Sequence, residues 1–169
     1  MISLTKDKEL KGYKSLTVYP EVAHFVTTRH GGVSEGTYGS FNCSPYTKDS
    51  CINVNCNQNK LFQITGHQIK ELVIPEQKHG SASLVVDESF FKESLEVRRT
   101  LLRGIDALIT NVPGYCVCVT TADCVPVLLY DKRQHAVAAV HAGWRGTVGR
   151  IAAKTEERMR EEFGCDPRD

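Results

Sequence analysis

No apolar run in the sequence approaches the roughly 20 residues that a membrane-spanning helix needs. The first sixteen residues also lack the hydrophobic stretch of a signal peptide. Charge of one sign is missing too. Twenty-one basic and 20 acidic side chains leave a net charge of +1, which removes the electrostatic basis for binding nucleic acid or an anionic bilayer. Neither a Gly-x-x-x-x-Gly-Lys phosphate loop nor a Gly-x-Gly-x-x-Gly dinucleotide turn occurs. The seven cysteines are odd in number and form no Cys-x-x-Cys pair; Cys116 and Cys118 are separated by one residue, Cys51 and Cys56 by four. That spacing suits reduced thiols serving as small buried hydrophobes better than a disulfide framework. These absences lead to the expectation of a cytoplasmic protein with no nucleic-acid or membrane partner. What is present suffices for a core: 169 residues, 41% of them hydrophobic, read as a single domain spanning 1–169.

Short β-leaning runs at 16–19 and 23–28 lead into Thr28-Arg29-His30-Gly31-Gly32-Val33-Ser34-Glu35-Gly36. This glycine-rich loop reads either as a hairpin turn or as backbone N–H groups presented to an anion, with Arg29 as charged partner. The spacing of Leu61, Phe62 and Ile64 predicts a helix over 53–66, stopped by Gly66. Strands are predicted over 71–77, 84–87 and 106–110, and 115–120 leads into the stretch that follows, while the charged stretch 90–103 fits a helix or a solvated excursion equally. A single amphipathic helix is predicted over 147–163, with Val148, Ile151, Ala152, Thr155 and Met159 on its apolar face and Gly164 past its end. Strands and helices mix without strict alternation, which predicts an α/β or α+β fold with a mixed sheet and flanking helices.

The chemistry concentrates between Thr120 and Gly146. Two apolar runs, 127–130 and 136–140, flank a polar turn and read as a hairpin. Cys124 precedes the first strand and His141 ends the second, so antiparallel pairing sets thiol and imidazole side by side. Gly143-Trp144-Arg145-Gly146 then reads as a shaped loop, and the N-terminus of the helix after it favours bound negative charge. Among the six histidines, His79 and His141 each end an apolar run and precede a glycine-bearing segment. Two imidazoles and one thiolate make a three-ligand set with a vacant fourth position, the pattern of catalytic zinc. The long separations between His79, Cys124 and His141 match no short zinc-finger spacing.

Four segments in series carry a family resemblance: Thr28-Arg29-His30-Gly31-Gly32-Val33-Ser34, Gln77-Lys78-His79-Gly80, Thr121-Ala122-Asp123-Cys124-Val125-Pro126 and Val140-His141-Ala142-Gly143-Trp144-Arg145-Gly146. From about Ala23 onward the chain resembles the YfiH-type, or DUF152, family of laccase-domain proteins. The resemblance implies a fold like that of the cytotoxic necrotizing factor cysteine hydrolases. It also implies a purine nucleoside enzyme, performing phosphorolysis of adenosine, inosine, guanosine or methylthioadenosine and deamination of adenosine. The family's metal ligands carry over to His79, Cys124 and His141. Arg29, Asn42 and Arg145 fall within family motifs as candidates for substrate or phosphate contact. The family continues past the last helix with a cysteine-rich motif and an arginine-bearing segment that this sequence lacks.

Zinc on such a site would activate a water for attack on the purine carbon that bears the amine. Asp123 is the candidate to orient a ligand or shuttle a proton, and Arg29 and Arg145 suit the positioning of phosphate. A multicopper oxidase needs about ten histidine ligands, and six cannot supply them. A single blue-copper site would want an axial methionine, yet the sequence has only Met1 and Met159, the latter on the predicted buried face. Two metal-free readings stand beside these. In one, Cys124 is a nucleophile activated by His141, in a hydrolase or amidase acting on cell-wall peptide precursors. In the other, the chain is an inactive nucleoside-binding module.

Overall fold

The computed structural model describes residues 1–66 and 69–168. His67, one of the six histidines, lies outside the described residues. Within the chain two compact units can be described, Met1–Gln68 and Ile69–Asp169.

The first unit carries a small antiparallel sheet of β1 (Ile2–Ser3), β2 (Leu10–Gly12) and β3 (Val26–Thr27). The strand expected at 16–19 does not form. Leu16 and Thr17 donate their N–H groups to Tyr13 O, and Tyr19 donates to Leu16 O, so local turns satisfy this backbone instead of a ladder. The second expected strand is confined to the two residues of β3. The predicted helix is present as α1 (Cys51–Ile64), with Val54, Asn57 and Leu61 buried at helical spacing and Gly66 left-handed past its end.

The second unit is built on a mixed four-stranded sheet in the order β5 (Ser83–Val85), β6 (Ala107–Thr110), β9 (Ala136–Ala142), β8 (Val125–Asp131). The first pair is parallel and the other two are antiparallel. A separate parallel pair joins β4 (Glu71–Val73) to β7 (Tyr115–Val117). All four residues of β6 are buried, as a near-continuous apolar run in a central strand should be. Leu108 packs with Val73, Val86, Phe90 and Leu102, whereas Ile109 packs with Ala136, Ala138, Met159 and Cys165. Each fully buried leucine or isoleucine in these clusters contributes about 1.5–3 kcal/mol.

The ambiguous stretch 90–103 resolves into two short helices. Asp87 accepts from the Phe90 N–H at the start of α2 (Glu88–Lys92), and Ser94 accepts from the Val97 N–H at the start of α3 (Leu95–Leu101). The helix expected over 147–163 is two helices, α4 (Trp144–Val148) and α5 (Ile151–Phe163). Arg150 is left-handed at φ 59° and turns the chain between them. Two expectations are corrected by this break. Gly143-Trp144-Arg145-Gly146 opens a helix and is not a loop, and Val148 is 79% exposed, off the buried face. Only Ile151, Thr155 and Met159 of α5 are buried. The long helix therefore starts at Ile151 and not beside Trp144, so its N-terminus does not supply the field expected there.

Candidate metal centre

The hairpin β8–β9 pairs Val125 with Ala142 and Pro126 with His141. Cys124, one residue before β8, is thereby brought beside the end of β9, as the sequence pattern required. His79 arrives from the turn that follows β4. Its backbone is left-handed at φ 62°, a conformation few histidines adopt without support.

The support is Asp106, fully buried at 0% exposure immediately before β6. One carboxylate oxygen accepts from the His79 N–H at 2.9 Å and lies 2.8 Å from His141 Nδ1. The other accepts from the Gly80 N–H at 2.7 Å and more weakly from the Lys78 N–H at 3.4 Å. Burial is the largest single influence on the Asp106 carboxyl and opposes its charge. Hydrogen bonds from His141, Gly80, His79 and Lys78 together outweigh burial and hold the group below the usual carboxylate range. An ionised Asp106 draws the imidazole proton to Nδ1, which leaves the Nε2 lone pair of His141 as the free donor atom. One buried carboxylate thus fixes the ring of His141 and the turn that carries His79.

One donor atom each from His79, Cys124 and His141 lies within 4.8 Å of the other two. Tetrahedral zinc bound by nitrogen and sulfur would separate its donors by about 3.3–3.8 Å, so a closure of at most about 1–1.5 Å would bring all three within reach of one ion. The two imidazoles meet edge to face, with ring centroids 4.6 Å apart. His141 is buried, Cys124 half-buried and His79 exposed, so the group opens to solvent on the His79 side. Gly143 leaves room for all three. A Cβ there would stand 3.2 Å from His79 Cδ2, 3.3 Å from Cys124 Sγ and 3.6 Å from His141 Cε1. Gly146 is bare for a related reason, since a Cβ would sit 2.7 Å from Gly80 O. The two glycines flanking Trp144-Arg145 therefore let α4 lie directly against the His79–Gly80 turn.

The remaining candidates differ in setting. Asp123 is exposed, and the orienting contacts expected of it are made instead by Asp106. Arg145 is exposed, with its guanidinium 5.1 Å from the ring centroid of Trp144, itself 72% exposed. Arg29 and Asn42 belong to the first unit. Arg29 donates from Nε and Nη2 to Gly39 O at 3.2 and 2.9 Å. Asn42 donates to Thr47 Oγ1 and Asp49 Oδ2 and accepts from the Ser44 N–H, which engages its whole amide within one loop. Fully buried Asn57 holds that loop by donating to Ser34 Oγ, Ser40 O and Asn42 O and accepting from the Val33 N–H. Sequence reasoning missed Asp106 and Asn57. A lone acidic residue ahead of an apolar run was the one signal for the first, and an amide on the apolar stripe of α1 for the second.

A family described as multi-copper polyphenol oxidoreductase laccase matches residues 23–169. The chain is 52% identical over 169 residues to a purine nucleoside phosphorylase of Bacteroides thetaiotaomicron, covering all of this chain and 63% of that protein. It is 38% identical over 138 residues to adenosine deaminase RL5 of an unknown prokaryotic organism, covering 82% of this chain and 53% of the relative. Among solved structures, YlmD of Geobacillus stearothermophilus superposes with a TM-score of 0.75 at 30% identity, over 85% of this chain and 53% of that one. YfiH of Bacillus licheniformis gives 0.73 at 30% identity, over 85% and 54%. The chain thus spans between about half and two thirds of the length of these proteins.

Proposed function

Because the chain belongs to the laccase-domain family, of YfiH and DUF152 type, whose curated relatives include purine nucleoside phosphorylases and an adenosine deaminase, we propose that it is a metal-dependent purine nucleoside enzyme. The reaction is phosphorolysis of a purine nucleoside, with hydrolytic deamination of adenosine at the same centre. The observation that carries the reading is the convergence of His79, Cys124 and His141 around the space that Gly143 leaves clear.

These donors fit one ion. Among the described residues this is the group of three or more His, Cys, Asp or Glu side chains able to hold a metal, which accords with a mononuclear centre and not with a copper cluster. Zinc is the proposed ion, for two imidazoles and a thiolate suit it, and copper would compete for the same donors. When bound, such an ion supplies Lewis acidity that makes water nucleophilic near neutral pH. The chain's own residues do the rest. Asp106 keeps the Nδ1 proton of His141 in place and prevents the ring from turning. His79, on the open side, faces the solvent from which substrate arrives. Trp144 offers an exposed flat ring of the kind on which a purine stacks, and Arg145 beside it is the cation placed to meet phosphate.

One observation favours a second reading. Cys124, His141 and Asp106 also form a nucleophile–base–orienter series, the arrangement of a thiol hydrolase. That series leaves His79 without a purpose, although the same carboxylate holds its strained turn. Incubation of the purified protein with adenosine and phosphate separates the two. The proposal expects inosine and free base to accumulate, with both lost in Cys124→Ala and after chelation. Neither product above the Cys124→Ala control would reject it, and turnover that survives chelation would favour the thiol hydrolase.

A further inference from the structure

Outside the metal centre, two thiols among the described residues are already in contact. Cys116 and Cys118 lie on and just past β7 with their Sγ atoms 3.6 Å apart, and Cys118 Sγ also donates to Cys116 O at 3.4 Å. Residues two apart on a strand share a face. Val117 between them packs on the cluster around Leu108, so the two thiols point away from that core. Both are half-buried, which leaves them reachable by a small reagent. Burial pushes the thiols of Cys43 and Cys165 up to about 11, with the Asp131 charge adding to the effect at Cys165.

We propose that Cys116 and Cys118 are a dithiol–disulfide modification site oxidised by low-molecular-weight disulfides. One thiolate attacks a sulfur of glutathione disulfide and releases one glutathione thiolate. The thiolate of the other cysteine then displaces the second glutathione. Two protein thiols lose two electrons and two protons, and one glutathione disulfide becomes two glutathione thiols. Closure draws the sulfurs from 3.6 Å to about 2.05 Å. Two strand steps separate Cα atoms by about 6.6 Å, longer than the usual separation of about 5.5–6 Å for bridged residues, so closing the bridge bends the strand. A bridge strained in this way is easily reduced again, which is the property of a regulatory disulfide and not of a structural one.

The bend falls on a strut between the two segments that carry candidate ligands. The Cys118 N–H donates to Val73 O at 2.9 Å, continuing the β4–β7 pairing. Two residues on, Thr120 donates from its N–H at 2.7 Å and from Oγ1 at 3.0 Å to Gln77 Oε1, and Gln77 Nε2 donates back to Thr120 O at 2.9 Å. Gln77 stands two residues before His79, and Thr120 four before Cys124. Bending at 116–118 therefore loosens the clamp that sets these segments against each other.

The full chain, equilibrated across glutathione buffers from mainly reduced to mainly oxidised, tests this by peptide mass mapping and hydrogen exchange. The expected result is a peptide containing Cys116 and Cys118 lighter by two hydrogens and restored by dithiothreitol. Exchange at the Cys118 and Thr120 amides should rise about fivefold in the oxidised form, the worth of one ordinary backbone hydrogen bond. Neither readout requires a bound metal. Glutathione adducts with no internal bond, linkage of either cysteine to Cys124, or no reaction in fully oxidised glutathione would each overturn the site. Unchanged exchange in the bridged form would overturn its coupling to the clamp. In Cys116→Ser and Cys118→Ser the two-hydrogen loss should vanish; its persistence would likewise refute the assignment.

Discussion

Replacing Asp106 by alanine strips His141 Nδ1, the His79 N–H and the Gly80 N–H of their shared acceptor at once. The three contacts are 2.8, 2.9 and 2.7 Å long and end on a carboxylate with no exposed surface. Bonds to a charged acceptor are worth about 1.5 kcal/mol or more apiece, so the alanine variant should lose about 4.5 kcal/mol of stability or more. Asparagine at the same position has the right shape, yet its amide must present N–H groups to one of the donors. Its expected loss is about 1–3 kcal/mol. Zinc affinity should fall about 10–100-fold in the asparagine variant, because the imidazole loses its anionic partner and the His79 turn loses an anchor. Urea unfolding of the metal-free protein gives the first quantity, and zinc titration against a chelating indicator gives the second. An alanine variant within about 1 kcal/mol of the parent, or an asparagine variant that binds zinc as tightly as the parent, would refute the reasoning.

Gly143→Ala probes the space between the donors. The backbone at φ −70° and ψ 168° accepts alanine, so the only penalty is steric. Overpacking by one methyl costs about 1–3 kcal/mol, and since the methyl presses on His79 and Cys124 the loss should show as weaker zinc binding with helix content unchanged by circular dichroism. Asp131 supplies the pH prediction. Its carboxyl is nearly buried, which opposes its charge, but hydrogen bonds from the Gln134, Asp166 and Arg133 N–H groups hold it below the ordinary value. A depressed carboxylate contributes stability that is fully present above its unfolded pKa of about 3.9 and is lost as pH falls through the folded value. Asp131→Asn should therefore lower stability at neutral pH and flatten the decline below about pH 4, as read from unfolding midpoints across an acid series. An unchanged acid decline would contradict this assignment.

The hairpin and its two terminal donors were legible in the sequence because strand alternation and a polar turn fix which ends meet. Register then follows from the antiparallel ladder, Pro126 against His141. The mixed sheet and α1 were legible for similar reasons of periodicity and a glycine stop. The break between α4 and α5 was not, since Val148 and Ile151 continue a plausible apolar stripe and the left-handed turn falls on an arginine instead of a glycine. Nor was the absence of a strand at 16–19, where β-leaning side chains lack a partner strand and the backbone closes on itself. Asp106 was hidden because its importance comes from three peptide groups and a ring brought to it from the turn after β4 and from β9, separations that no local pattern encodes. Arg145 stands two residues past Gly143 by sequence alone, while Arg29 and Asn42 are engaged in the loop that Asn57 organises.

Cobalt titration of the metal-free protein tests the central claim most directly, because a thiolate ligand gives cobalt(II) an intense near-ultraviolet charge-transfer band and tetrahedral geometry gives it strong visible absorption. The account predicts saturation at one ion per chain with both features, loss of the charge-transfer band in Cys124→Ser, and weakened binding in His79→Ala and His141→Ala. A spectrum of octahedral, sulfur-free cobalt in the parent protein, or a charge-transfer band that survives Cys124→Ser, would contradict it.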